Sequence, residues 1–188
     1  MRNCKGQMSK SEIMTILLCS HFGSFRNLKH YYLFFIEEHL ASYFLYAVSY
    51  TRFVELMPCV FFDLMSFMRI QGFGKCMGIS FVDSTMIPVC HNMRRKFNKV
   101  FDELTKNGKG TMGWCPGLKQ HLLCNEIGDV LMFCLTPANE DDRNPRVWKV
   151  FTKVLYGKVF ADKGYIKQEF FENLFNQGIH LVHGLSRT

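Results

Sequence analysis

Two periodicities divide this chain. From Ser9 to about Ile70 apolar positions recur at the spacing of amphipathic helices, and beyond Gly78 they gather into short β-branched and aromatic runs that read as strands. In the first stretch, Ser9-Lys10-Ser11-Glu12 has the form of a capping box, with Met8 and Ile13 at the spacing of a hydrophobic staple. A helix is predicted from Lys10 to Gly23 and a second from about Phe25 to Leu40. A third follows Ser49 and is kinked or restarted by Pro58. The intervening FRNLKHYY suits a helix-turn-helix style module and equally a plain helical bundle.

In the second stretch, strands are predicted at Ile79–Ser84, Leu118–Asn125, Val130–Thr136, Lys158–Ala161 and Ile179–His183. A hairpin turn is expected at Asn125–Asp129, and helices at Asn144–Tyr156, with Pro145 in its first turn, and at Ile166–Asn176. The order of elements makes this an α/β mixed sheet with crossover helices, preceded by a small helical module. Residues 1–75 form that module, a candidate for DNA binding, and residues 76–188 form the sheet domain.

The topology brings two carboxylates into question. If the first three strands form an antiparallel meander, a right-handed crossover makes the fourth parallel to the third. Asp83 then ends the first strand, and Asp162 follows the fourth at the same edge of the sheet. Taken alone, each aspartate also suits a cap or a surface ion pair. If they converge, they repel unless one stays protonated or a cation sits between them, and hard oxygen donors favour Mg²⁺ or Mn²⁺ over Zn²⁺. Two such ions would clamp both oxygens of a phosphodiester displacement.

Composition sharpens the choice of partner. The formal charge is +7, which favours a polyanion, nucleic acid first. The segment from His91 to Lys119 is the most basic, with Arg94, Arg95, Lys96, Lys99, Lys106, Lys109 and Lys119 against Asp102 and Glu103. MRRKFNKVFDEL suits a helix, whereas NGKGTMGWCPG reads as loop; either Lys and Arg there meet phosphates and Trp114 stacks on a base, or the segment is a solvated hairpin or loop. GKGT lacks the order of a phosphate-binding P-loop. The eight cysteines form no C-x-x-C pair, which suits a reducing cytoplasm, and no segment reaches the ~18 to 20 apolar residues of a membrane span. His121 and Cys124 lack partners at zinc spacing and read as strand packing; His180 and His183 fall on opposite faces of a strand.

The blocks FVDST (81–85), LTPANEDDRNP (135–145) and KVFADKGYIKQ (158–168) together resemble bacterial insertion-sequence transposases of the DDE type, which have a ribonuclease-H-like fold. The resemblance extends upstream through SYTRFVEL and covers nearly the whole chain. It implies that Asp83 and Asp162 are catalytic metal ligands for Mg²⁺ or Mn²⁺. It also implies hydrolysis of double-stranded DNA at element ends, strand transfer into target DNA, and a bacterial, nucleoid-associated protein that forms a homo-oligomer on DNA. Asn139, Asp142 and Lys163 join the basic residues as candidate DNA contacts. The family's third acid, a glutamate on a helix after the fifth strand, has no counterpart before Thr188, and Glu169 and Glu172 read as exposed helix charges. The expectation is a truncated copy with little chemistry of its own; the alternative is a non-catalytic DNA-binding fragment.

Overall fold

The computed structural model describes residues 8–91, 93, 101, 103–110, 113–165 and 168–183, without the side chains of residues 163, 168–171 and 183. Its contacts divide the chain into two units between Gln71 and Gly72. Among the described residues no helix is long and apolar enough to cross a membrane.

In the first unit, helix α1 (Lys10–Cys19) opens on the capping box: Glu12 N donates to Ser9 Oγ at 3.2 Å and Ser9 N to Glu12 Oε2 at 2.7 Å. Met8 and Ile13 are both buried, as a staple requires. The helix stops at Cys19, short of the expected Gly23, where the Ser20 hydroxyl donates to the Leu17 carbonyl at 2.7 Å and competes with the helical ladder. Next, the short turn α2 (Leu28–His30) is capped by Asn27, whose side chain accepts from His30 N at 2.9 Å, and runs directly into a π-helical segment, Tyr31–Ile36. The expected helix at Phe25–Leu40 is therefore shorter, and it spends its aromatic residues on packing. Tyr31, Tyr32 and Ile36 are buried with Ile16, Phe53 and Val60, and the Tyr32 hydroxyl donates to the Val48 carbonyl. Helix α3 (Tyr50–Leu56) is capped by Ser49 and gives way to a 3₁₀ turn, Met57–Val60, before α4 (Phe61–Phe67). Pro58 lies in that turn, where its missing N–H disturbs no α-helical bond.

The second unit is built on six strands: β1 (Ile79–Pro88), β2 (Lys106–Gly110), β3 (Gly113–Asn125), β4 (Val130–Pro137), β5 (Gly157–Ala161) and β6 (Ile179–His183). The order is β2-β3-β1-β5-β6, with β4 also paired to β3. β1 and β4 are each antiparallel to β3, and β5 and β6 run parallel to β1. This is the expected ribonuclease-H-like mixed sheet. The meander and the direction of β5 agree with the sequence reading, and the neighbour of β5 is β1, reached by a crossover through helix α5 (Pro145–Phe151).

One segment corrects the sequence reading. NGKGTMGWCPG is not a plain loop, because β2 pairs with Gly113–Gly117 of β3 in antiparallel register. Gly108 permits this, since a Cβ there would lie 2.4 Å from the Ala138 carbonyl oxygen. β1 also runs on to Pro88 beyond the expected Ser84, held by that lengthened β3, and α5 stops at Phe151, well before Tyr156. The expected helix at MRRKFNKVFDEL lies largely outside the described residues.

Alternation along the strands sets the core. Val82, Leu123, Val159, Ala161, Ile179 and Leu181 face inward and pack with Val147, Trp148 and Phe151 of α5 and Leu174 of α6 (Gln168–Asn176). On the alternate positions Ile79, Phe81 and Asp83 are exposed, with the Phe81 and Phe160 rings stacked at 5.3 Å.

Candidate active site

Parallel pairing places the two aspartates. The last register pair between β1 and β5 is Val82 with Ala161, so Asp83 and Asp162 are the next residue of each neighbouring strand. Adjacent strands lie about 4.8 Å apart, and residues in matching register share a face. Both aspartates are exposed. Asp83 Oδ1 accepts the Ser84 N–H at 2.7 Å, which fixes the direction of that carboxylate.

Behind this edge is a buried polar chain that the sequence reading did not anticipate. His121, fully buried at the centre of β3, hydrogen-bonds through Nδ1 to the Tyr165 hydroxyl at 2.9 Å and through Nε2 to Thr136 Oγ1 at 3.0 Å. Ser84 Oγ donates to Asp142 Oδ1 at 3.0 Å, and Lys119 Nζ pairs with the same oxygen at 3.2 Å while donating to the Glu140 carbonyl at 2.7 Å. Burial lowers the His121 pKa below 6.5, Asp142 opposing and Lys119 reinforcing, so the ring is held neutral. Burial likewise pushes the Tyr165 phenol well up, with a hydrogen bond to Ser84 opposing and the charges of Asp142 and Asp83 adding to the rise. Ser84 adjoins Asp83 and Tyr165 follows Asp162 within one turn, so the chain braces both carboxylate-bearing segments from below. The only sequence signal was a histidine on the apolar face of a strand.

The other candidates are distributed unevenly. Lys109 is exposed on β2, and Asn139 is exposed after β4. Lys119 and Asp142 are mostly buried in their mutual ion pair. Arg94, Arg95, Lys96 and Lys99 lie outside the described residues, as does the side chain of Lys163. His180 is exposed against the Phe175 ring. Among the described residues no group of three His, Cys, Asp or Glu side chains stands together as a metal site.

A sheet of this topology, with one aspartate midway along β1 and another just past the end of the parallel β5, invites comparison with known families. The transposase DDE domain family matches residues 73–188. The chain belongs to that family. The matched region takes in the whole six-stranded sheet of the DDE domain and both aspartates. No protein of curated function matches the chain.

Proposed function

We propose that this DDE domain acts in DNA transposition, binding double-stranded DNA at element ends, hydrolysing the phosphodiester there and joining the freed end to target DNA. The observation that supports the reading is the register of β1 and β5, whose last pair is Val82 with Ala161, the residues just before Asp83 and Asp162. Their donor set fits a hard divalent ion, because both groups offer carboxylate oxygens. Asp83 and Asp162 would hold Mg²⁺ or Mn²⁺, which when bound supplies Lewis-acid stabilisation of charge on the phosphoryl oxygens.

The chain's own groups prepare that edge. The Ser84 N–H orients the Asp83 carboxylate. The His121–Tyr165 bond anchors the turn that follows Asp162, and the Asp142–Lys119 pair absorbs a charge that would otherwise compete beside the site. Preorganisation of this kind is what positions a site of two carboxylates.

The test is nicking of a duplex carrying element ends, with and without Mg²⁺, by a full-length relative that carries the family's third acid. Asp83→Asn and Asp162→Asn should each abolish metal-dependent nicking while leaving DNA binding in chelator intact; full nicking by either variant overturns the assignment. A second reading, DNA binding without cleavage, is favoured by the charge of +7 and by the exposed Lys109 on the groove that Ser84 also lines. It predicts retention of DNA and no nicking by the unaltered chain.

A further inference from the structure

The β2–β3 hairpin presents an aromatic ring and a cation together. In its register Lys109 lies directly opposite Trp114, and directly opposed residues of an antiparallel pair project from the same face. Both are exposed, Trp114 at 61%. A large indole left this open on a two-stranded ribbon buries little for the fold, and here it has a cation as its neighbour.

The same hairpin forms one wall of a groove of about 470 Å³ whose lining includes Lys109, Lys119, Met86, Pro88 and Ser84. The groove follows the end of β1 from Ser84, the chain neighbour of Asp83, to the hairpin, and Asp142 also lines it. It combines apolar side chains with the exposed Lys109 and the Lys119–Asp142 ion pair in a chain of net charge +7, a combination suited to a strand of alternating bases and phosphates. A paired base inside a duplex has both faces already stacked. An unpaired base offers a free face to the indole, and its phosphate suits Lys109.

We propose that Trp114 and Lys109 form a stacking site for an unpaired DNA nucleotide next to the carboxylate edge. This rests on the reading above only for DNA as the polyanion, and it needs neither metal nor cleavage. Trp114 would stack on the base, Lys109 would meet the adjoining phosphate, and the groove over Met86 would carry the strand toward Ser84.

The chain has two tryptophans, and Trp148 is buried at 3% exposure, so emission separates the sites. The full chain is titrated in chelator with a short oligothymidine, and in parallel with a blunt duplex of the same length. Single-stranded DNA should quench the Trp114 emission and leave that of Trp148 in place; the blunt duplex should quench less. By anisotropy of a labelled oligothymidine, Trp114→Ala should weaken binding about tenfold and Trp114→Phe by less. Lys109→Gln should lower the salt dependence by about one phosphate contact. Asp83→Asn and Asp162→Asn should leave quenching unchanged, which separates this proposal from the failure of cleavage. Absence of quenching at low salt, or unaltered affinity in Trp114→Ala, overturns it. So does a concentration-dependent shift of Trp114 emission without DNA, which would mark the hairpin as a protein contact.

Discussion

Tyr165 and His121 meet at 2.9 Å in a place where neither can reach water. Tyr165→Phe removes one partner and leaves His121 Nδ1 buried without it, which should cost about 1 to 3 kcal/mol in urea denaturation. The same burial makes stability depend on pH. Because His121 has a lowered pKa in the folded chain, the unfolded chain takes up a proton that the folded one refuses. The contribution of His121 is therefore complete above its ordinary 6.5 and declines as the pH falls below it. Denaturation midpoints should drop over that range, and His121→Gln, which does not titrate, should flatten the slope while lowering stability at neutral pH. Asp141 titrates elsewhere: hydrogen bonds from the Arg143 side chain and backbone lower it to about 2, so its influence belongs to strong acid.

At the scale of elements, the hairpin of β2 and β3 shows where local reasoning stops. KNGKG contains no β-branched or aromatic residue, and by propensity it is a loop. It becomes a strand because the backbone of residues 113–117 offers a partner and because Gly108 lets it pass against Ala138. Gly108→Ala should force that contact apart and destabilise the fold by roughly 1 to 3 kcal/mol, read as a lower melting temperature. By contrast, the capping box of α1 and the restart at Pro58 were legible in sequence, since both depend on hydrogen bonds among near neighbours. The same holds for the turn between β3 and β4, where Asn125 Oδ1 accepts from Asp129 N at 2.8 Å. Helix ends were less legible, as the stop at Cys19 shows, where the Ser20 hydroxyl donates to the Leu17 carbonyl.

For the whole molecule, charge is the property that acts at a distance. With a net +7 the protein should bind DNA by counterion release, and its affinity for a duplex should fall by about tenfold or more between 50 and 200 mM salt, measured by anisotropy. A salt-insensitive affinity would deny the electrostatic reading. The sequence by itself determined the family blocks, the two aspartates and the alternation that separates core from surface, because each is written in residue type and short-range period. Only the tertiary structure decided that β5 lies against β1, that Asp83 and Asp162 share a register step, and that His121, Tyr165, Ser84 and Asp142 brace them. It alone also set Trp114 across from Lys109. Those outcomes depend on which strands pair and in what register, and the free energy that selects a register comes from burying one face of the whole sheet, a sum no short segment contains.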